Sequence, residues 1–369
     1  MKSEPSKIAL SWQESVQQSG QHCNRIVKTI PKWLQTEGTH SSIIISTRIR
    51  LARNLAAHLF PGHAGEADLA AVTESVCQSV FNAQAMTNAL CIDLSKISAL
   101  DRRMLMERRL ISPALFERKA GMLVMEPDEH LSIMINEEDH LRVQSIQPGL
   151  QITEAWEKIS KLDDELGEVL QFAFSDRYGY LTACPTNTGT GMRVSIFVHL
   201  PALTLLNEIE ETIRKFASSG IAIRGFYGEG SEVIGNIFQI SNQLTLGRTE
   251  TALRGIIEEV ALKLLDLETK ARERMLSRPR RYGLSDQVWR ACGLLYFARV
   301  LGSVEFLNKL SMLRLGLDLG ILKKNWSPAF LNEMMLFMQP GHLQKMHRGL
   351  RKSSLRDILR ARLVREMLR

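Results

Sequence analysis

Absences narrow this chain before any motif is read. No run of the roughly 18 apolar residues that a membrane helix needs occurs in the 369 residues, and the opening MKSEPSKIALSW has no apolar stretch of the secretory kind. A cytoplasmic protein is expected. The five cysteines, Cys23, Cys77, Cys91, Cys184 and Cys292, form no CxxC pair, which argues against a zinc site and against a disulfide framework. Reduced thiols and no metal held by the protein itself are the expectation. Low-complexity tracts are missing as well, which fits a globular chain. Both familiar ATP-binding signatures, the GxxxxGK[ST] loop and the HRD with DFG pair of protein kinases, are absent.

What is present begins with ordinary globular composition, 44% hydrophobic and 24% charged. The net charge of +7 suggests nucleic acid until it is located. Residues 342–369 carry nine Lys/Arg against Asp357 and Glu366, so this segment accounts for the whole excess. It reads as a basic C-terminal helix, either a solvated face or an anion-binding surface, and no aromatic or groove-reading motif supports nucleic-acid binding.

Apolar residues at three- and four-residue spacing predict helices over 65–84, 98–118, 150–172 and 201–219. Alternation predicts strands at Leu131–Ile135, Arg193–Val198, Ile221–Arg224 and Ile237–Leu246. Strands grouped with longer helices imply an α+β fold, an antiparallel sheet flanked by helices. After Glu250 the pattern is helical only, over 251–276, 286–301, 304–320, 327–338 and 341–369, with Ser277–Gly283 as a break. Three parts are expected: an extension over 1–42, a catalytic domain over 43–250 and an all-helical domain over 251–369.

Four polar clusters punctuate the strands. Asn136-Glu137-Glu138-Asp139-His140-Leu141-Arg142 follows one strand and by itself reads as turn chemistry. Ser46-Thr47-Arg48-Ile49-Arg50 sets two arginines two apart, on one side of an extended segment. Cys184-Pro185-Thr186-Asn187-Thr188-Gly189-Thr190-Gly191 leads to Arg193, and Arg224-Gly225-Phe226-Tyr227-Gly228-Glu229-Gly230 closes the set. Glycine-rich loops let backbone N–H groups approach phosphate, and the arginine fork binds phosphate oxygens in pairs.

Together these clusters resemble the ATP:guanido phosphotransferase family, and within it the bacterial protein arginine kinases. The runs STRIRLARN, NEEDHLR, CPTNTGTGMR, RGFYGE and SNQLTLG stand in the family's order and spacing over about residues 43–250. The resemblance implies that the protein is an enzyme using ATP and Mg²⁺. Its nucleotide site would comprise Ser46, Thr47, Arg48, Ile49, Arg50, Arg109, Arg142, Arg193, Val194, Ser195, Ile196, Phe197, Arg224, Gly225, Phe226, Tyr227 and Gly228. Five arginines, Arg48, Arg50, Arg142, Arg193 and Arg224, would line the phosphates. A guanidinium is a poor nucleophile because its lone pairs are delocalised and it is protonated at pH 7, so carboxylates must orient it and take its proton. Glu138 matches the family position for the base, Glu229 the second clamp and Cys184 the active-site thiol.

Family members that act on small guanidino substrates carry a separate N-terminal helical domain, whereas about 45 residues precede STRIR here. The acceptor is therefore expected to be arginine in a protein, with a metabolic kinase of free arginine as the alternative. Arg109 stands where the protein arginine kinases usually have histidine; it reads either as a nucleotide contact or as a solvated charge. Arg356-Asp357-Ile358-Leu359-Arg360-Ala361 looks like the branch's phosphoarginine pocket, formed by Arg356, Asp357, Arg360 and Ala361. A non-catalytic phosphoarginine-binding adaptor is the alternative from another class. Resemblance further implies protein substrates, a zinc-binding activator, a Clp-type protease and a homodimer as partners, with marking of proteins for degradation.

Overall fold

A computed structural model of the chain describes residues 11–35, 38–118, 121–225, 233–347 and 349–369. The described residues form strands β1 (Ile44–Arg53), β2 (Leu90–Asp93), β3 (Met122–Met125), β4 (Leu131–Ile135), β5 (Leu141–Pro148), β6 (Phe174–Ser175), β7 (Gly179–Tyr180), β8 (Met192–His199), β9 (Ile221–Gly225) and β10 (Ile237–Asn242), of which β4, β8, β9 and β10 are the four alternating segments. Eight of them form one sheet in the order β2-β3-β4-β5-β1-β8-β10-β9, with every neighbouring pair antiparallel. β6 and β7 make a separate small hairpin. This is the antiparallel α+β sheet flanked by helices that the sequence predicts.

Because side chains alternate across a strand, the register divides the sheet into two chemically distinct faces. Ile49, Leu51, Val143, Val194, Ile196 and Ile240 line one face and are almost fully buried. Each such side chain contributes roughly 1.5–3 kcal/mol through burial. Helices Ile152–Gly167 and Glu250–Leu276 pack on the sheet's central strands. On the opposite face, Leu123, Met125 and Met134 form a second core with Ile26, Met104 and Leu115. That core covers one end of the face, beside the strands that carry the arginines.

Local signals explain where helices start. Ser98 and Asp101 form a reciprocal capping box ahead of Ala99–Glu107, and Ser11 with Glu14 does the same for Trp12–Gln17. Thr249 caps Glu250–Leu276, and Ser327 with Pro328 opens Pro328–Phe337.

Several predicted helices are shorter or divided. The 98–118 segment splits into Ala99–Glu107 and Pro113–Arg118, with Arg109 at φ +66° between them. The 201–219 segment splits into Pro201–Leu205 and Ile209–Ala217 around Asn207, at φ +58°. The 341–369 segment becomes Pro340–Met346 and Ser353–Leu368, separated by Gly349 at φ +89°. A left-handed residue cannot continue a right-handed helix, and periodicity does not register such a reversal. The break at Ser277–Gly283 is shorter than expected: a helix already begins at Arg280 and contains Tyr282 and Gly283. The last predicted strand ends at Asn242, before Leu246.

The extension also carries structure, since Trp12–Gln17 and Ser19–Ile26 pack on β2 and the short Lys32–Gln35 packs on β1 and β5. The main hydrophobic core is continuous from β1 into the C-terminal helices, including Ile49, Leu313 and Val364.

Candidate active site

Five arginines converge because the strand register places them together. Across β1 and β8, Arg50 faces Arg193 and Arg48 faces Ser195; across β1 and β5, Ala52 faces Arg142. Gln239 of β10 pairs with both Phe197 and Arg224. Arg48, Arg50, Arg142, Arg193 and Arg224 therefore share one face of four adjoining strands and their outer neighbour. Ser195 and Phe197 belong to that face as well.

The cluster concentrates positive charge where water is scarce. Burial, then the neighbouring Arg109, Arg142 and Arg193, push the pKa of Arg48 well below that of an ordinary arginine. Burial and Arg48, Arg142 and Arg193 do the same to Arg50, with only Glu137 opposing. Nε of Arg48 and Nε of Arg50 are buried donors without a hydrogen-bond partner. Buried donors that lack acceptors are costly, so this surface is built to receive an anion that supplies several. Arg193 donates from Nε and Nη2 to Ser241 Oγ at 3.2 and 3.1 Å, and Arg48 Nη2 donates to Gln239 Oε1 at 3.3 Å. These bonds fix the direction in which the guanidinium groups point.

The carboxylates come from the β4–β5 hairpin. Asn136, at φ +58°, turns the chain, and its backbone N–H donates to His140 O at 2.9 Å. Glu137 faces the arginines: it accepts from Arg142 Nη1 at 2.6 Å, from Ser112 Oγ at 2.5 Å and from the Glu138 backbone N–H at 3.0 Å. Burial raises the pKa of Glu137, but Arg142 and these hydrogen bonds outweigh it and the net shift is downward. Asp139 faces the other way and is 3% exposed, accepting from Asn54 Nδ2 at 2.6 Å and from the Ala183 N–H at 2.7 Å. It ties the hairpin to the segment before Cys184.

Between these two anchored residues, Glu138 is exposed and lies beside the Cys184 side chain. Burial, followed by the adjacent Glu137 and Asp139 carboxylates, raises its pKa, against the opposing pull of Arg142 and Cys184. The three consecutive acids thus divide into an arginine partner with a lowered pKa, a reachable carboxylate with a raised one, and a buried tether. Cys184 also lies 3.0 Å from Thr186 Oγ1, while Thr245 Oγ1 donates to the carbonyls of Thr186 and Thr188 at 3.0 and 2.6 Å. The loop then closes on β1 through Gly191, at φ +64°, where a β-carbon would meet Ala52 O at 2.6 Å.

Not every expected nucleotide residue points into this cleft. The side chains of Ile49, Val194 and Ile196 enter the core on the opposite face, and Thr47 Oγ1 donates to Gly149 O at 2.7 Å there. Ser46, Arg48, Arg109 and Phe197 line a cleft next to the arginines, with the Arg109 guanidinium 4.6 Å from the centre of the Phe197 ring. Gly225 ends β9 beside Arg224. Phe226, Tyr227, Gly228 and Glu229 lie outside the described residues.

At the C-terminus, Arg356 and Arg360 share a helix face in Ser353–Leu368, but Arg360 is 1% exposed. Its Nε donates to Met338 O at 2.9 Å, and its Nη1 to Leu301 O at 2.7 Å and Asp357 Oδ1 at 2.6 Å. Arg356 Nη1 donates to the carbonyls of Leu350 and Arg351 at 3.1 and 2.9 Å, and Ala361 is buried. The four residues adjoin one another, 10 or more residues beyond the helices that reach the cleft.

Sequence reasoning missed the other walls of that cleft, Trp33, Leu34, Ile45, Glu107, Ile146, Met335, Leu336 and Gln339. They come from segments some 300 positions apart, and no local pattern joins them. It also missed the buried network behind Arg109. Glu107 accepts the N–H groups of Gly341 and His342 at 2.7 and 3.0 Å, while Arg108 forms an ion pair with Glu129, both side chains fully buried.

The model of the ATP:guanido phosphotransferase C-terminal catalytic domain matches residues 71–271, and that of the protein-arginine kinase McsB C-terminal domain matches residues 281–369. A protein-arginine kinase of Brevibacillus brevis is 43% identical over 342 residues, covering 91% of this chain and 95% of its own length. One of Bacillus subtilis is 40% identical over 346 residues, covering 93% and 94%. Among solved structures, the duplicated taurocyamine kinase from Schistosoma mansoni aligns at 25% identity and a TM-score of 0.57, over 66% of this chain and 35% of its own. A lombricine kinase aligns with TM-score 0.56 at 22% identity, over 66% and 70%, which shows a shared fold.

Proposed function

We propose that this chain, which belongs to the ATP:guanido phosphotransferase family, transfers the γ-phosphoryl group of ATP to the guanidinium of arginine residues in proteins. One observation carries the reading at the level of chemistry. A half-buried arginine surface with unmet donors at Arg48 and Arg50 adjoins an exposed carboxylate of raised pKa beside a cysteine.

The arginines bind and orient the nucleotide phosphates, and they stabilise the charge that spreads over the transferring group. Mg²⁺ bound with ATP would supply charge neutralisation at the phosphates. Glu138 hydrogen-bonds one guanidinium nitrogen and accepts its proton as that nitrogen attacks the γ-phosphorus. The bond from the γ-phosphorus to the bridging oxygen breaks with its electron pair, leaving ADP and a phosphorylated arginine. Cys184 faces the same acceptor and favours its positive charge. Glu229 is the second clamp by family resemblance.

The same resemblance supports the remaining parts of this reading. They are work in the cytoplasm, a zinc-binding activator, a Clp-type protease that degrades marked proteins, pairing with a second copy, and a phosphoarginine pocket at Arg356, Asp357, Arg360 and Ala361. Among the described residues no helix is long and apolar enough to cross a membrane.

Incubation with ATP, Mg²⁺ and an unfolded arginine-rich protein will produce acid-labile phosphoarginine, and Glu138→Gln will produce almost none. Rapid turnover of free arginine with little labelling of protein would replace this reading with that of a metabolic kinase.

A further inference from the structure

The cleft beside the arginines has a chemistry that phosphate does not explain. Its walls are largely apolar: Trp33 and Ile45 from one side, Phe197 and Ile146 from the sheet, Met335 and Leu336 from the C-terminal helices. Its empty space, open mouth included, is about 530 Å³. One end adjoins the phosphate surface through Arg48, a member of both. The Arg109 guanidinium over the Phe197 ring forms a flat platform at the sheet.

Trp33 supplies a second, independent signal. It is 6% exposed, lines the cleft, and its indole N–H is buried with no hydrogen-bond partner. Tryptophan is a donor only, and a buried indole N–H usually finds an acceptor. An apolar slot with one unmet donor, continuous with a phosphate-binding surface, fits a flat heterocycle that has ring-nitrogen acceptors and is linked to phosphates.

We infer that Trp33 is a positioning residue for the phosphoryl donor: its Nε1–H donates to a ring nitrogen of the adenine, which lies between the Arg109–Phe197 platform and the wall formed by Met335, Leu336 and Gln339. This rests on ATP being the donor, and it deepens that reading. Two segments outside the strand-borne motifs, Lys32–Gln35 and the helices Pro328–Phe337 and Pro340–Met346, then complete the base site. Gln339 opens the second of these helices as its N-cap and donates from Nε2 to Met335 O at 3.1 Å, which holds the wall together. Adenine entering this slot ties the N-terminal extension and the C-terminal helices to the nucleotide.

The test is a cycle between Trp33→Phe, which keeps the ring shape and removes the donor, and 1-deaza-, 3-deaza- and 7-deaza-ATP, each lacking one acceptor. One hydrogen bond corresponds to a roughly three- to tenfold change in affinity. Trp33→Phe raises the KM for ATP by that factor with kcat within twofold. One analogue shows the same loss with the unaltered chain, and no further loss with Trp33→Phe. Equal use of ATP and all three analogues by the unaltered chain overturns the inference whether or not the variant folds. So do additive losses in the cycle. In either case phosphoryl transfer from ATP stands, whereas failure of the unaltered chain to use ATP at all removes both.

Discussion

Arg50 of β1 stands directly opposite Arg193 of β8 on the same face of the sheet. Like charges opposite one another weaken a strand pair, and here burial adds to the repulsion. The arrangement is strained electrostatically without an anion and relieved by one. An anion that binds here adds its binding energy to the stability of the fold.

Arg50→Met is therefore expected to raise the melting temperature of the unliganded chain by a few degrees, since about 1 kcal/mol shifts a large domain by roughly 2–4 °C. The same variant loses most of the stabilisation by ADP with Mg²⁺, which at 100 times Kd amounts to about 2.7 kcal/mol in the unaltered chain. Differential scanning fluorimetry with and without nucleotide measures both. A lower unliganded melting temperature, with the ADP response intact, would contradict the account.

Glu138 sets an expectation for pH. A general base works only when ionised, and burial with the Glu137 and Asp139 charges raises its pKa. Activity falls as pH falls through that raised value, so the acid limb of kcat/KM lies above the range of an ordinary exposed carboxylate. Glu138→Gln lowers kcat by about 10²–10⁴-fold and flattens this limb, while ADP affinity stays within about twofold. Initial rates across pH, with ADP titrations on the variant, decide the matter.

The Arg108–Glu129 pair behind Arg109 gives a stability prediction. Both side chains are fully buried, and Arg108 Nη1 also bonds Thr29 O at 3.0 Å and lies 3.3 Å from His342 Nε2. Removing one partner leaves the other charge uncompensated. Glu129→Ala is expected to cost about 3–5 kcal/mol, read from chemical denaturation. The double replacement Arg108→Met with Glu129→Leu recovers much of that loss. Equal stability of Glu129→Ala and the unaltered chain would show that the pair is not the constraint.

Much of the site was legible locally. Alternation at Leu131–Ile135 and Arg193–Val198 exposed the strands, and STRIR, NEEDHLR and the Arg193 and Arg224 strand ends marked the arginines. Strand alternation even implied that Arg48 and Arg50 point together. It equally implied that Ile49 points away, which a motif taken as a continuous stretch obscures; Val194 and Ile196 follow the same rule. The divided helices were not legible, because a left-handed residue such as Arg109 leaves the apolar spacing on either side of it intact.

The sequence by itself determined the residue types and their order: arginine at successive strand ends, three acids on one hairpin, cysteine on a glycine-bearing loop. These are local, since side-chain chemistry and strand periodicity need only neighbouring residues. Which of the three acids faces the arginines, which faces Cys184 and which is a buried tether was decided by tertiary structure alone. Each role depends on a partner from a distant segment, Ser112 for Glu137, Cys184 for Glu138, Asn54 and Ala183 for Asp139. The same holds for the cleft that joins Trp33 to Gln339. Folding brings such pairs together through the packing of the whole core, and no spacing along the chain encodes that distance.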